Sequence, residues 1–234
     1  MQPDGIGARI DAVLLDLDGT LVDTLGDFVA ALQATFVDLP PAWRNVPVTR
    51  ALVETLVGKG SEHLVASLLV QTNPNPHEPV PQEIQALALA RYLHHYQRVN
   101  GQYASVYAGV TEGMVLLQSR GWPLACVTNK PTGMARHLLQ KTGLLAYFKV
   151  VLGGDAVARK KPDPMALLLA CAELGVSPAY AVMVGDSSND AQAARAAGCP
   201  VWLMTYGYNH GQPVRAVDAD GFADSLTALP WLCG

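Results

Sequence analysis

The sequence predicts an α/β protein, a doubly wound parallel sheet with a helical cap inserted after the first strand. Short apolar runs alternate with helical segments of roughly 10–15 residues, the pattern of βαβ units. Each apolar run ends at polar residues. A long interval without any strand pattern separates the first apolar run from the second, which predicts an insertion at that place.

Five apolar runs predict buried strands, because parallel strands covered by helices on both faces are apolar throughout. They span residues 12–15, 122–127, 149–152, 181–184 and 200–204. Helices are predicted between them from apolar residues at helical spacing and from Pro and Gly at the ends. These helices span residues 109–120, 131–143, 164–174 and 190–197.

The interval after the first strand predicts the cap. Helical patterns cover residues 25–36, 49–56, 61–71 and 83–99, and four prolines mark residues 72–81 as a loop. We therefore expect a catalytic core formed by residues 1–22 and 101–234, and a helical cap domain formed by residues 23–100.

Composition excludes several classes of protein. With 50% hydrophobic and 15% charged residues the chain is not intrinsically disordered, and no apolar stretch approaches the ~20 residues of a membrane span. A net charge of −4 argues against a nucleic-acid partner. Four widely spaced cysteines, Cys126, Cys171, Cys199 and Cys233, predict reduced thiols. Residues 1–7 lack a signal-peptide pattern, so we expect a cytoplasmic protein.

Residues able to do chemistry collect at the predicted strand ends, where open α/β sheets bind ligands. Four are acidic, and such a cluster of hard oxygen ligands suits Mg²⁺. The residues, in chain order, are Asp16, Asp18, Thr128, Asn129, Lys161, Asp186 and Asp190.

Each of these signals also has a purely structural interpretation. Asp16-Leu-Asp18-Gly can be a turn, and Asp190 can cap a helix. A calcium loop of the EF-hand type is excluded, because Leu21 stands at its sixth position and Asp27 at its twelfth. The combination, with one signal at each strand end in order, favours a functional site.

This combination resembles the haloacid dehalogenase superfamily of phosphohydrolases. The resemblance implies a strand order of 3-2-1-4-5 and a cap of the helical type. It rests on Asp16, Asp18 and Thr20, then Thr128, then Lys161, then Gly185, Asp186 and Asp190.

The resemblance also implies a mechanism. Asp16 attacks phosphorus to form an aspartyl-phosphate, and Asp18 transfers protons. Mg²⁺ is held by the Asp16 side chain, the Asp18 main-chain carbonyl and Asp186. Thr20, Thr128, Asn129 and Lys161 bind the phosphoryl group, and Asp190 orients Lys161 or a metal-bound water. Asp18 favours phosphoester chemistry, because dehalogenases of this superfamily lack an acid at that position.

Further runs resemble the phosphoglycolate phosphatases within the superfamily, above all residues 206–211 after the fifth strand. This resemblance implies hydrolysis of 2-phosphoglycolate, with Lys59 and the amides of residues 57–60 meeting its carboxylate. Gly58 to Ser61 can equally be a turn followed by a helix cap. The expected partner is a small phosphorylated metabolite, and monomer and homodimer stay open.

Other functions remain open at this point. A sugar phosphate, an amino-sugar phosphate or pyrophosphate can replace 2-phosphoglycolate, and a β-phosphoglucomutase-like phosphotransferase shares Asp16 and Asp18. A serine hydrolase is disfavoured, because the run from Gly185 to Asn189 lacks the final Gly of the nucleophile motif. A non-catalytic binding protein is disfavoured by the presence of both Asp16 and Asp186.

Overall fold

The computed structural model describes residues 9–44 and 47–232. The predictions for residues 1–7 and for Cys233, and the outer ends of the predicted core, lie outside these residues. Cys126, Cys171 and Cys199 are buried free thiols. Among the described residues, no helix has both the length and the hydropathy needed to cross a bilayer.

Within residues 9–44 and 47–232, eight strands and eight α-helices follow one another. In order they are β1 Ala12–Leu15, β2 Val22–Asp23, α1 Leu25–Asp38, α2 Arg50–Leu56, α3 Ser61–Gln71, α4 Gln82–Val99, β3 Ser105–Val106, α5 Val110–Ser119, β4 Leu124–Val127, α6 Thr132–Lys141, β5 Val150–Leu152, α7 Met165–Leu174, β6 Ala181–Gly185, α8 Ser188–Ala197, β7 Val201–Met204 and β8 Gly221–Ala223.

Six parallel strands form the central sheet in the order β5-β4-β1-β6-β7-β8. The predicted order of five strands, 3-2-1-4-5, is confirmed, and β8 extends the sheet beyond the fifth strand. Residues on one face of β1 pack with α5 and α6, while those on the other face pack with α7 and α8. The sheet is therefore doubly wound, as predicted.

Strand β4 begins at Leu124, two residues later than predicted. Pro123 has no N–H to donate to a neighbouring strand. Its carbonyl still accepts a hydrogen bond from Val13 N at 3.2 Å, so it flanks the ladder without extending it.

Helices α1 to α4 enclose a second hydrophobic cluster, built around Phe36, Leu68, Tyr92 and Tyr96, which Tyr208 joins from the sheet side. The two chain segments that join these helices to the sheet meet in a short antiparallel ribbon of β2 and β3. Asp27, buried in the first turn of α1, accepts hydrogen bonds from the main-chain N–H groups of Gly101 and Tyr103. The insertion is thus tied to the sheet at its base.

Candidate active site

The predicted site residues meet at one edge of the sheet. Asp16 follows β1, Thr128 follows β4 and Asp186 follows β6, and these three strands are neighbours in the sheet. Because neighbouring parallel strands end at the same edge, their terminal residues converge there. Lys161, from the loop between β5 and α7, completes the group with its ammonium beside Asp16.

Lys161 lies between two carboxylates. Its Nζ donates to Asp190 Oδ1 at 2.6 Å and to the main-chain carbonyl of Val127 at 2.8 Å, and it lies 2.9 Å from Asp16 Oδ1. Burial by itself lowers the pKa of Lys161, but the charges of Asp16 and Asp190 raise it above its usual value. The side chain is therefore a permanent cation next to Asp16.

Asp190 holds this arrangement in place. Its Oδ2 accepts hydrogen bonds from the N–H groups of Asp186 and Ser187 and from the Ser187 hydroxyl. Helix α8 starts earlier than predicted, at Ser188, because Ser187 is its N-cap and Asp190 the third residue of a capping box. Asp190 thus has both oxygens occupied, one by Lys161 and one by the start of the helix.

Three carboxylates, those of Asp16, Asp186 and Asp190, offer oxygens that lie within 4.8 Å of one another. Burial, reinforced by the neighbouring carboxylates, raises the pKa of Asp186 well above its ordinary value and that of Asp16 to about 7, although Lys161 lowers the pKa of Asp16. Buried carboxylates in such a group are stable as anions only beside a cation. The residues present therefore fit a divalent metal ion, which prefers oxygen ligands of this kind.

Asp186 is held by two groups from different loops. The Thr20 hydroxyl donates to its Oδ1 at 2.8 Å, and the main-chain N–H of Tyr208 donates to its Oδ2 at 2.6 Å. Thr20 was predicted to bind phosphate, and the structure places its hydroxyl on Asp186. Gly19, whose φ is +89°, brings the backbone so close that a Cβ there would lie 2.2 Å from Asp186 Oδ2.

A small cavity lies between this sheet edge and the helical insertion. Its volume is about 40 Å³, where a single water needs roughly 10–15 Å³, so it takes a small ligand and no large one. The lining residues are Asp16, Asp18, Thr128, Asn129 and Lys130 from the sheet side, and Phe28, Val57, Gly58, Gly60, Ser61, Leu64, Tyr92 and Tyr96 from the insertion.

Lys130 is a site residue that the sequence analysis missed. Its Nζ donates to Asp18 Oδ1 at 2.6 Å and lies 4.9 Å from the ring centroids of both Phe28 and Tyr96. Its position directly after Thr128-Asn129, at a strand end, was the available signal. The aromatic rings that surround it come from helices far away in sequence, which no local pattern connects to it.

Asn129 connects the site to the insertion. Its amide donates to the carbonyls of Gly58 and Lys161, and its Oδ1 accepts from Lys161 N. Asn189 donates to the same Gly58 carbonyl at 3.2 Å. The side chain of Lys59 is exposed, whereas Gly58 and Gly60 line the cavity. The main chain of the 57–60 loop thus lies at the site, while the side chain of Lys59 is exposed to solvent.

Gly207 also lies too close to Asp186 and Gly19 to carry a side chain. A Cβ there would lie 2.3 Å from Asp186 Cβ and 2.4 Å from the Gly19 carbonyl, both nearer than side chains tolerate. We expect Gly207→Ala to push Asp186 out of place and to lower metal affinity by about 10–100-fold. The Mg²⁺ concentration at half-maximal activity and the Mg²⁺-induced rise in melting temperature both measure it. Gly133→Ala, where a Cβ has open space, is the control. An unchanged Mg²⁺ response in Gly207→Ala would remove Asp186 from the metal site.

A family model for haloacid dehalogenase-like hydrolases matches residues 10–198, which is most of the chain. The chain belongs to the haloacid dehalogenase-like hydrolase family. Its relatives in that family include a phosphoglycolate phosphatase of Thiobacillus denitrificans, 41% identical over 93% of this chain and 92% of the relative. Another, from Cupriavidus necator, is 43% identical over 94% and 92% of the two chains.

Two solved structures of similar proteins agree with the fold. A predicted phosphoglycolate phosphatase from Haemophilus somnus superimposes with a TM-score of 0.88 at 28% identity, covering 98% of this chain and 100% of that one. CbbY from Rhodobacter sphaeroides, solved in complex with phosphate, gives 0.76 at 26% identity, over 94% and 96% of the chains.

Proposed function

We propose that this hydrolase converts 2-phosphoglycolate to glycolate and phosphate in a Mg²⁺-dependent reaction. The observation that carries the proposal is the small cavity lined by Asp16, Asp18 and Lys130, with the buried Lys161 beside Asp16 and the Lys130 ammonium beside Asp18. Two carboxylates for phosphoryl transfer and two cations for a substrate with two anionic groups thereby lie together at one site. The naming of the relatives as phosphoglycolate phosphatases supports the same substrate.

In the proposed reaction, an oxygen of Asp16 attacks phosphorus, and the bond between phosphorus and the glycolate oxygen breaks. Asp18 gives its proton to that oxygen, so glycolate leaves as the alcohol. Asp18 then takes a proton from water, whose oxygen attacks phosphorus and releases phosphate, with Asp16 restored as a carboxylate. Lys161 balances charge on the phosphoryl oxygens, and the Thr128 hydroxyl donates a hydrogen bond to one of them.

The metal ion in this proposal is Mg²⁺. The Asp16 side chain, the Asp18 main-chain carbonyl and the Asp186 side chain would hold it. It would neutralise phosphoryl charge and so allow an anionic nucleophile to meet an anionic substrate. Thr20 and Tyr208, through their hydrogen bonds to Asp186, would orient one of its ligands. Asp190 would orient Lys161.

The cap in this proposal is the domain of residues 23–100, with residues 1–22 and 101–234 as the core. The separate hydrophobic cluster of α1 to α4 supports the division. The hydrogen bonds that Gly58 accepts from Asn129 and Asn189 support a closed arrangement over substrate. The ion pair of Glu62 with Lys160, at 2.7 Å, adds a contact at the rim. We place the enzyme in the cytoplasm, where thiols such as Cys126 stay reduced.

Phosphate release from a panel of substrates tests the proposal. The panel holds 2-phosphoglycolate, glucose 6-phosphate, β-glucose 1-phosphate, pyrophosphate and a nucleoside monophosphate, each with Mg²⁺ and with EDTA. We expect 2-phosphoglycolate to exceed every other member at least ~10-fold in kcat/KM, since 1.4 kcal/mol of differential binding gives that factor. EDTA is expected to abolish release.

Faster release from another member would keep the chemistry and replace the substrate. Transfer of the phosphoryl group to a sugar hydroxyl, without phosphate release, would indicate a mutase. Full activity in EDTA would contradict the role of the metal ion.

A further inference from the structure

Tyr96 has a buried polar group for which the fold supplies no partner. The residue is 1% exposed, and within the described part of the chain nothing hydrogen-bonds its hydroxyl. A buried hydroxyl without a hydrogen-bond partner destabilises the fold unless a ligand or water satisfies it. The neighbouring Tyr92 differs, because its hydroxyl is hydrogen-bonded to Ser61. The Tyr96 hydroxyl, in a residue that lines the cavity, is therefore available to a ligand.

Lys130 lies beside Tyr96 and has donors to spare. Its ammonium carries three N–H donors, of which Asp18 takes one in the described structure. The Phe28 and Tyr96 rings, stacked with their centroids 5.2 Å apart, hold it by cation–π contacts. Two donors thus remain for an anion in the cavity that Lys130 lines.

The position of Lys130 relative to Asp18 indicates which part of a substrate it meets. Lys161 is paired with Asp16, the residue at phosphorus, so its charge acts on the phosphoryl group. Lys130 is paired with Asp18, the residue at the leaving oxygen. In 2-phosphoglycolate one methylene group joins that oxygen to the carboxylate. A cation in contact with Asp18 is therefore within reach of that carboxylate.

We propose that the Lys130 ammonium and the Tyr96 hydroxyl bind the carboxylate of 2-phosphoglycolate and so select this substrate over uncharged phosphate esters. The inference rests on the proposed function. The sequence analysis expected Lys59 to contact this carboxylate, but the Lys59 side chain is exposed, and the proposal assigns the contact to Lys130 instead. The main chain of the 57–60 loop keeps its place at the cavity wall.

A pair of substrates tests this proposal. 2-Hydroxyethyl phosphate has the same length as 2-phosphoglycolate and carries a hydroxymethyl group in place of the carboxylate. The quantity measured is the ratio of kcat/KM for the two compounds. We expect Lys130→Met to lower this ratio about 100-fold and Tyr96→Phe to lower it about 10-fold, the usual size of hydrogen bonds to a charged group.

Two exposed residues provide matched controls. Lys149→Met and Tyr103→Phe make the same chemical changes away from the cavity, and we expect them to leave the ratio unchanged. Melting temperatures establish that each variant is folded. If Lys130→Met does not fold, Tyr96→Phe decides the question, because it removes one oxygen and keeps the stacked ring.

An equal loss of kcat/KM on both substrates would overturn the proposal, since Lys130 would then act on Asp18 alone. An unchanged ratio in Tyr96→Phe would remove Tyr96 from the carboxylate site. A wild-type enzyme with no preference for 2-phosphoglycolate over 2-hydroxyethyl phosphate would refute the proposed function itself. The wild-type comparison tests the proposed function and the variants test the carboxylate site, so failure of one can be distinguished from failure of the other.

Discussion

Asp16→Asn is expected to abolish turnover of 2-phosphoglycolate, with kcat falling at least ~10⁴-fold. An amide cannot attack phosphorus, and removal of a covalent nucleophile costs on the order of 10⁴–10⁶ in kcat. The measurement is phosphate release at saturating Mg²⁺ over hours, with enzyme purified free of other phosphatases. Asp218→Asn makes the same change at an exposed position and serves as the control.

The same substitution is expected to leave the fold nearly intact. Burial raises the pKa of Asp16 to about 7, which means that the charged form of this side chain does not stabilise the fold. Lys161 keeps its hydrogen bonds to Asp190 and to the Val127 carbonyl when Asp16 becomes neutral. We expect the substitution to lower stability by no more than about 1 kcal/mol, or ~2–4 °C in melting temperature. An active and stable Asp16→Asn protein would contradict the aspartyl-phosphate mechanism.

Lys161→Met is expected to destabilise the protein by about 3–5 kcal/mol and to lower kcat by at least ~10²–10³-fold. Removal of one partner from a buried ion pair leaves the other charge uncompensated, and here Asp190 is 0% exposed. Loss of the cation beside the phosphoryl group removes transition-state stabilisation of the size seen for oxyanion donors. Urea unfolding measures the first effect and steady-state kinetics the second.

The neighbouring lysine provides the control for stability. Lys160 pairs with Glu62 at the surface, where an ion pair contributes roughly 0–1 kcal/mol, so Lys160→Met should change stability little. The double variant Lys161→Met/Asp190→Asn should recover part of the loss, because it removes the charge that was left unpaired. A Lys161→Met protein as stable as the wild type would show that Lys161 does not compensate Asp190.

Much of the fold follows from local patterns. Apolar runs such as 181–184 are long enough for one buried strand each, and the Pro and Gly residues between them mark helix ends. The strands β2, β3 and β8 were missed because they are only two or three residues long. Their pairing depends on partners distant in the chain, Val106 for Val22 and Leu203 for Phe222, which no periodicity within the segment can indicate.

In the candidate site, too, some contacts can be predicted from the sequence and others cannot. Asp16 and Asp186 can be predicted to meet, because each follows a strand and neighbouring parallel strands end at one edge. The attachment of Thr20 to Asp186 depends instead on the turn at Gly19, which aims the Thr20 hydroxyl at the Asp186 carboxylate. In the sequence alone, nothing distinguishes Thr20 from any other hydroxyl residue near two acidic residues, so its hydrogen bond to Asp186 cannot be predicted.

The chain by itself is enough to place the acidic cluster, Lys161 and the helical insertion, because periodicity and strand ends are properties of consecutive residues. Only the tertiary structure decides that Lys130 faces the cavity while Lys59 faces solvent. The surroundings of Lys130 are Phe28 of α1, Tyr96 of α4 and Asp18 of the loop after β1, which are brought together by packing of the insertion on the sheet. The residue type determines the charge of a side chain, but the groups that it contacts depend on packing between segments far apart in the chain.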